Sequence, residues 1–335
     1  MKTKIGINGF GRIGKHVLKI ALERDDLEVI VINSTSGPEK HSQIFKYDSV
    51  YGIYPQDVSA DKETLYVGDK AIKFTAFRNP EEIPWKDMGV EIVVESTGIF
   101  NNREDAYKHI KAGAKKVVLS APGKNVDGTF VMGVNEKSYD SAKHEIVSNA
   151  SCTTNCLAPI VKVLNDAFGV KEGLMTTIHA YTNDQQLLDK PHKKDPRRAR
   201  AAALSMIPTT TGAAKALGLV IPEMAGKLNG MAVRVPIPVV SLVDLVVNLE
   251  KEASVEEVNA EMKRASENEL KGILGFNELP LVSKDFTGDY RSSILDADLT
   301  CKVGEKMIKV VSWYDNEWGY SARVVDLVGY IAERL

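Results

Sequence analysis

Residues 4–14 read KIGINGFGRIG, a short apolar strand candidate followed directly by the glycine pattern G-x-G-x-x-G. Apolar residues then recur at helical spacing, and residues 27–33, LEVIVIN, form the β-branched run of a buried parallel strand. In this strand–turn–helix setting the pattern predicts dinucleotide binding. Gly9 permits a tight turn, Gly11 lets the backbone approach a pyrophosphate, and Gly14 allows close packing of the helix. A glycine-rich turn in an unrelated α/β protein is the alternative.

Strand and helix candidates alternate up to about residue 150, which indicates a doubly wound sheet. The first half has further strand candidates at 71–74, 91–95 and 116–120 and a helix at 102–112; the second half has longer strands at 174–181, 231–236, 241–249 and 309–314 and helices at 213–220, 254–268 and 322–335. We expect an α/β fold in which a Rossmann-type doubly wound parallel sheet is combined with an α+β catalytic domain containing a mixed or antiparallel sheet. The expected domains are residues 1–150, joined by the C-terminal helix 315–335, and residues 151–314.

Composition narrows the function classes. A net charge of -2 over 335 residues offers no electrostatic case for binding nucleic acid or an anionic membrane, and no apolar run is long enough to span a bilayer. The N-terminus leads straight into a strand and does not resemble a signal peptide. Three cysteines cannot all pair within the chain. We therefore expect a reduced, cytoplasmic protein.

Cys152 stands between hydroxyl residues at the start of an apolar-periodic helix. A helix N-terminus favours the thiolate, which is the nucleophilic form, and the neighbouring Ser151 and Thr153 suit an anion. His179, at the end of a predicted strand, is the candidate base, although a satisfied core histidine is the alternative. Cys156, one turn further on, has the spacing of a metal or disulfide pair, but a buried small residue is the better interpretation. The other histidines, to which we assign no role, are predicted on polar helix faces or loops: His16, His41, His109, His144 and His192.

The second strand ends without the carboxylate that usually holds the adenosine ribose, because Asn33 is followed by Ser34. A carboxylate would repel a 2′-phosphate, whereas a serine hydroxyl can donate to one, so tolerance of NADP is predicted. Lys40 is a possible charge partner. Alternatively, Glu39 or backbone groups hold the ribose and NAD is still used.

Two further segments suit phosphate. Residues 208–215, PTTTGAAK, form a hydroxyl- and glycine-rich helix entry. Arg234 interrupts an apolar strand, where a phosphate would supply the partner that a buried charge needs. Arg197, Arg198 and Arg200 are either a solvated face or partners of acids at a subunit boundary.

With these segments the chain closely resembles the phosphorylating glyceraldehyde-3-phosphate dehydrogenases of bacterial type over nearly its whole length. The resemblance is carried by residues 7–14, 148–156, 181–185, 197–200, 208–215 and 313–320. It implies that Cys152 attacks the aldehyde of D-glyceraldehyde 3-phosphate, that His179 is the base, and that hydride passes to NAD or NADP. The resulting thioester is cleaved by inorganic phosphate to 1,3-bisphosphoglycerate, in glycolysis or gluconeogenesis. A homotetramer is implied as well, with the loop 183–203 lining a neighbour's cofactor site.

The resemblance also assigns individual residues. Thr182 and Arg234 match positions that hold the substrate phosphate, and Ser151, Thr153, Thr211 and Gly212 match those for the attacking phosphate, with Arg198 nearby and Asp184 in the same set. The implied cofactor contacts are Gly9, Phe10, Gly11, Arg12, Ile13, Gly14, Asn33, Ser34, Arg78, Ser96, Thr97, Gly98, Ser120, Lys190, Asn316 and Tyr320. No metal site is expected.

The chain departs from the family pattern at a few positions. Ser34 stands where NAD-using members usually carry Asp, and Lys190 stands where an apolar residue is common and could reach a 2′-phosphate across a subunit interface. The segment 192–197 is one residue longer than the usual family pattern, which leaves Arg197 as an alternative to Arg198. Erythrose-4-phosphate dehydrogenase is the alternative function, and a cysteine hydrolase using Cys152 and His179 is the rival from another class.

Overall fold

The computed structural model of the chain describes residues 2–193 and 195–335. These residues form two compact units. Unit 1 comprises Met1–Phe130, Glu136–Ala150 and Ser321–Leu335, and unit 2 comprises Val131–Asn135 and Ser151–Tyr320. Each unit is built around its own sheet.

Unit 1 contains a nine-stranded sheet and a two-stranded hairpin. Its strands are β1 (Thr3–Asn8), β2 (Leu27–Asn33), β3 (Tyr47–Asp48), β4 (Gly52–Ile53), β5 (Val58–Ala60), β6 (Thr64–Val67), β7 (Lys70–Thr75), β8 (Ile92–Glu95), β9 (Lys116–Leu119), β10 (Gly128–Thr129) and β11 (Ile146–Ser148). Its helices are α1 (Arg12–Ala21), α2 (Pro38–Lys46), α3 (Trp85–Met88) and α4 (Arg103–Lys111). The pairs of this sheet are parallel except at one edge, where β5 pairs with β6 and β6 with β7 in antiparallel orientation.

The order of the large sheet is β10-β11-β9-β8-β1-β2-β7-β6-β5. From β1 the chain moves outward through β2 and β7, then returns to place β8 on the other side of β1. In doubly wound sheets the carboxyl ends of the strands at such a reversal form a ligand crevice. The glycine turn after β1 lies at this point, so the predicted Rossmann-type sheet is confirmed.

Unit 2 contains a seven-stranded mixed sheet of order β13-β14-β12-β15-β18-β17-β16. Its strands are β12 (Val170–Ala180), β13 (Ile207–Thr210), β14 (Leu228–Val235), β15 (Ser241–Leu249), β16 (Leu274–Asn277), β17 (Ser293–Val303) and β18 (Met307–Tyr314), and its helices are α5 (Cys152–Phe168), α6 (Ala213–Val220) and α7 (Val255–Glu267). The pairs β12–β14 and β16–β17 are parallel and the others antiparallel. The predicted α+β architecture with a mixed sheet is therefore confirmed.

The last helix, α8 (Trp318–Ala332), enters unit 1 from residue 321 onward. The Arg24 guanidinium pairs with Asp326 at 3.2 Å and with Asp26 at 2.7 Å. Gly329 leaves room for this guanidinium, because a Cβ at that position would lie 2.5 Å from Arg24 Nη2. An ion pair thus connects the N-terminal and C-terminal segments of unit 1.

Two sequence expectations fail on burial, and the helices α2 and α3 were not predicted. His16 and His109, expected on polar faces, have fully buried side chains, so those predictions are wrong. His109 Nε2 lies 3.1 Å from Glu95 Oε2, and Trp85 Nε1 donates to His109 Nδ1 at 3.0 Å. Helix α2 was missed because its sequence, PEKHSQIFK, is short and mostly polar. Among residues 2–193 and 195–335, no helix is long and apolar enough to cross a membrane.

Candidate active site

The turn between β1 and α1 has the geometry that its glycines require. Gly9 has φ of +92°, a left-handed conformation that non-glycine residues rarely adopt. A Cβ at Gly14 would lie 2.2 Å from the Gly9 carbonyl oxygen. A Cβ at Gly11, in contrast, meets no atom within 4 Å, so the space beside this residue is open. Helix α1 begins there without a side-chain cap, which suits a pyrophosphate at the helix N-terminus.

Some of the predicted cofactor residues near this turn hold its backbone through hydrogen bonds, and others are partly or fully exposed. The Ser96 hydroxyl donates to the Gly9 carbonyl at 2.7 Å, and Thr97 donates to the buried Glu95 carboxylate. Arg12 forms a 2.6 Å ion pair with Asp48, which is one reason why the pKa of Asp48 is lowered to about 2 although burial acts in the opposite direction. Phe10 is buried. Ile13 and Ser120 are partly exposed, Gly98 has φ of +72°, and Arg78 is exposed.

At the end of β2 the two predicted residues have different environments. Asn33 is buried, and its amide bonds to Asn8 and Phe77 at 2.8 and 2.9 Å, so it supports the turn. Ser34 Oγ lies 2.9 Å from Nε2 of His41, a residue on α2 to which sequence reasoning assigned no role. Lys40, next to it, is exposed.

In unit 2, Cys152 is the first residue of α5, and Ser151 is its N-cap. The Ser151 hydroxyl accepts from the Thr154 N–H at 3.0 Å, which satisfies one of the free amides of the first turn. The residue before the cap, Ala150, has φ of +55°, a conformation that is strained for a residue with a side chain. The chain therefore turns sharply just before the thiol.

His179 lies opposite this thiol, near the end of β12. Its Nε2 is 3.5 Å from Cys152 Sγ, so the structure brings the predicted nucleophile and base together. Its Nδ1 is 2.6 Å from the Ala180 carbonyl oxygen. Because that oxygen can only accept, Nδ1 carries the proton and the lone pair of Nε2 faces the sulfur.

Arg234 lies beside His179, because the two residues are register partners on the parallel strands β12 and β14. Its Nη1 approaches His179 Nδ1 at 3.0 Å and donates to the Ala180 carbonyl at 3.1 Å and to Thr182 Oγ1 at 3.3 Å. Arg234 Nε is buried without a hydrogen-bond partner among the described residues. Thr182 and Arg234, both predicted to hold the substrate phosphate, are therefore adjacent.

Burial and charge act together on the pKa values of this site. Burial and the Arg234 guanidinium lower the pKa of His179 to about 3, so the imidazole is neutral. Burial raises the pKa of the Cys152 thiol, while Arg234 and hydrogen bonds from the helix N-terminus lower it. Cys156 is fully buried, as predicted, and burial raises its pKa to about 12.

Tyr314 was not predicted as a separate site residue, yet it joins several of the elements around the thiol. Its buried hydroxyl lies 2.9 Å from both Thr153 Oγ1 and Thr177 Oγ1, and its ring contacts the His179 ring edge-on at 6.0 Å. The Thr153 side chain, expected to hold the attacking phosphate, is thus engaged with Tyr314. In the sequence Tyr314 is one of several aromatic residues of the segment 313–320, and no local pattern distinguishes it.

A second polar cluster lies around Arg198. The guanidinium bonds to Asp184, to Thr209 Oγ1 at 2.9 Å and to the Thr210 carbonyl at 3.3 Å. This position next to the end of β13 favours Arg198 over the exposed Arg197 as the residue facing the 208–215 segment. There the Ala213 N–H donates to Thr211 Oγ1 at 3.2 Å, and Gly212 is the N-cap of α6.

The remaining predicted cofactor residues of unit 2 have distinct environments. Asn316 is buried, and its Oδ1 accepts from Ser241 Oγ at 3.0 Å, which leaves its amide nitrogen as a donor. Tyr320 is buried. Lys190 is exposed, and its backbone N–H bonds to the Ala199 carbonyl at 3.0 Å.

A doubly wound dinucleotide fold together with a domain that has a thiol–imidazole pair is typical of a nucleotide-dependent oxidoreductase. Residues 3–103 match the family model described as the glyceraldehyde 3-phosphate dehydrogenase NAD binding domain, and residues 151–316 match the C-terminal domain of the same enzyme. The chain belongs to the glyceraldehyde-3-phosphate dehydrogenase family.

Full-length relatives agree with this assignment. The chain is 59% identical over 334 residues to the glyceraldehyde-3-phosphate dehydrogenase of Geobacillus stearothermophilus, covering 100% of this chain and 99% of that protein. It is 58% identical to glyceraldehyde-3-phosphate dehydrogenase 1 of Bacillus subtilis, with the same coverage. The enzyme of Streptomyces coelicolor is 52% identical over 337 residues, covering 100% of both chains.

Proposed function

We propose that this protein oxidises D-glyceraldehyde 3-phosphate to 1,3-bisphosphoglycerate, with inorganic phosphate as second substrate and NAD or NADP as hydride acceptor. The observation that carries the proposal is the Cys152–His179 pair, with Sγ and Nε2 3.5 Å apart and Arg234 beside the imidazole. Unit 1 is proposed as the cofactor-binding domain and unit 2 as the catalytic domain.

Cys152 and His179 start the reaction. The neutral imidazole accepts the thiol proton at Nε2 as the sulfur attacks the aldehyde carbon, and it returns this proton to the carbonyl oxygen, so the product is a thiohemiacetal. The cofactor, when bound, supplies the acceptor for the hydride that leaves this carbon. His179, neutral again, withdraws the hydroxyl proton of the thiohemiacetal, and a thioester on Cys152 remains. Inorganic phosphate then attacks the thioester carbon, and the leaving thiolate takes back the proton held by His179.

Arg234 and Thr182 are proposed to hold the phosphate of the substrate. The buried Arg234 Nε lacks a hydrogen-bond partner among the described residues, and a phosphate oxygen would supply one. Neutralising this guanidinium would also weaken the charge that lowers the pKa of His179. Substrate binding would therefore make His179 a stronger base.

The attacking phosphate is proposed to bind at Ser151, Thr153, Thr211 and Gly212, with Arg198 and Asp184 at the edge. The caps of α5 and α6 present amides of two helix N-termini, which favour an anion. Because the Thr153 hydroxyl bonds to Tyr314, we assign the contact at this position to its backbone N–H.

The residues after β1 fit a dinucleotide, since the open space beside Gly11 is where a Cβ would obstruct the pyrophosphate. NAD binding follows from the matched domain. We further propose that NADP is accepted, because Ser34 replaces the carboxylate that would repel a 2′-phosphate. Asn316 is proposed to orient the nicotinamide carboxamide. Lys190 is proposed to approach the 2′-phosphate of an NADP molecule bound to a neighbouring subunit of a homotetramer.

Three further points stay predictions. The homotetramer rests on the family resemblance, and light scattering of the purified protein tests it. The cytoplasmic location rests on the cysteine count and the N-terminal sequence. Erythrose 4-phosphate is the alternative substrate, which the similarity to the named relatives does not favour.

The activity is tested by following absorbance of the reduced cofactor with the triose phosphate, NAD or NADP, and inorganic phosphate. We expect phosphate-dependent reduction in the wild type and none in Cys152→Ser, which should still bind NAD by calorimetry. If erythrose 4-phosphate is turned over faster than glyceraldehyde 3-phosphate, it becomes the assigned substrate. Cofactor reduction by Cys152→Ser would refute the thiohemiacetal route.

A further inference from the structure

The side chain of His41 lies against the place where a dinucleotide ribose is expected. Its Nε2 is 2.9 Å from the hydroxyl of Ser34, the residue that follows β2 and replaces the usual ribose-binding acid. The imidazole packs on the rings of Phe10 and Phe74, with centroids 5.2 and 5.9 Å away. His41 is therefore held in place from α2, β7 and the glycine turn.

The hydrogen bonds of His41 indicate which nitrogen carries the proton. Its Nδ1 is buried and has no hydrogen-bond partner among the described residues. A proton on Nδ1 would bury an N–H without an acceptor, which is rarer in proteins than an under-used acceptor. The neutral ring thus carries its proton on Nε2 and donates to Ser34 Oγ.

This arrangement fixes the role of the Ser34 hydroxyl. Its oxygen accepts from His41 and, at 3.4 Å, from the Ser36 N–H. With both lone pairs engaged, the O–H is left to donate to an external acceptor. An aspartate in this position is acceptor-only and selects a ribose 2′-hydroxyl, whereas a hydroxyl donor suits the oxygens of a phosphate.

The charges around the imidazole are mostly positive. Lys15 faces it from α1, and burial together with this ammonium lowers the pKa of His41. On α2 itself, Glu39 and Lys40 are exposed neighbours in sequence. These positive charges and the buried Nδ1, which has no acceptor among the described residues, keep the ring neutral with its Nε2–H directed at Ser34.

We propose that His41 is a specificity-determining positioning residue for the cofactor: its neutral Nε2–H sets Ser34 as a donor toward a ribose 2′-phosphate. The inference rests on the proposed dinucleotide site. It adds a residue to that site, and it predicts that the preference for the 2′-phosphorylated cofactor depends on a hydrogen-bond donor at position 41.

Calorimetry with two probes of the adenosine half tests this without turnover. The probes are ADP and adenosine 2′-monophosphate 5′-diphosphate, at about pH 8. His41→Leu removes the donor, and His41→Gln keeps a neutral donor. Ser42→Ala is the matched control, because it lies on the same helix and its hydroxyl bonds to the Glu39 carbonyl.

We expect His41→Leu to weaken binding of the 2′-phosphorylated probe about tenfold, the equivalent of one hydrogen bond to a charged group. Its affinity for ADP should not change. His41→Gln, which keeps a neutral donor, should restore the wild-type affinity for the 2′-phosphorylated probe, and Ser42→Ala should match the wild type with both probes.

Opposite outcomes separate this inference from the proposed function. If both His41 variants keep the wild-type ratio of the two affinities, or lose affinity equally for both probes, the specificity role is refuted and the dinucleotide site stands. The specificity role is also refuted, and the dinucleotide site stands, if the wild type binds ADP and excludes the 2′-phosphorylated probe. A wild type that binds neither ADP nor NADH refutes the dinucleotide site itself.

Discussion

The same substitution at two glycines of one turn should have opposite effects. Gly11→Ala places a methyl group where no atom lies within 4 Å, and its φ of −79° is accessible to alanine. Gly14→Ala places the methyl 2.2 Å from the Gly9 carbonyl oxygen, well inside van der Waals contact, and the obstructing atom is backbone.

The magnitudes follow from these distances. For Gly14→Ala, alanine would gain up to about 1 kcal/mol of helix propensity, but overpacking costs about 1–3 kcal/mol and more where backbone must move. We therefore expect a net loss of about 2 kcal/mol in the free energy of unfolding. For Gly11→Ala we expect unchanged stability or a gain of about 0.5 kcal/mol from the restricted unfolded chain. Its NAD affinity should fall at least tenfold, or about 1.4 kcal/mol, because the methyl occupies the pyrophosphate space.

Urea unfolding and calorimetric titration with NAD measure both quantities on both variants. Wild-type NAD affinity in Gly11→Ala would show that the pyrophosphate does not pass over this residue. Wild-type stability in Gly14→Ala would show that the turn relaxes around the methyl, and the packing explanation of this glycine would then be wrong.

Three other experiments test the site and the residues that support it. Arg234→Met should lower kcat/KM for glyceraldehyde 3-phosphate about 10–100-fold, and kcat/KM for unphosphorylated glyceraldehyde much less. An equal loss for both aldehydes would mean that Arg234 acts only through His179 and does not bind the substrate phosphate. Asp48 has its pKa lowered to about 2, below the unfolded value, so its ion pair stabilises the fold above about pH 4 and is lost as the pH falls toward 2. The deficit of Asp48→Asn in urea unfolding should accordingly be about 2 kcal/mol at pH 7 and shrink in acid, and a deficit independent of pH would contradict this. Ser151→Ala and Ser254→Ala each remove a helix N-cap, and each should lower the free energy of unfolding by about 1 kcal/mol. Only Ser151→Ala should change the alkylation rate of Cys152. Equal alkylation rates in both variants would show that the Ser151 cap does not influence the thiol.

Strongly periodic segments were predictable from the sequence. The strands at 27–33 and 241–249 have the predicted bounds, since alternating or continuous β-branched residues specify how each face is buried. The start of α5 at Cys152 was also predicted, because hydroxyl residues precede an apolar-periodic run.

The features that were missed depend on contacts between distant residues or on weak local signals. Helix α2 is mostly polar, yet Gly37 followed by Pro38 is a helix start that could have been recognised. Without this helix, His41 could not be placed beside Ser34. Tyr314 reaches Thr153 across 161 positions of the chain, a pairing set by tertiary structure alone.

The membership of residues 321–335 in unit 1 bears on how the protein is made. During translation, the first 130 residues leave the ribosome long before the helix that carries Asp326 is synthesised. Unit 2, whose main segment is contiguous, can fold before unit 1 is complete. Until the last helix is synthesised, part of the apolar surface of the unit 1 sheet stays exposed. The stage at which chaperones would protect the chain is therefore the long interval before its last helix is released.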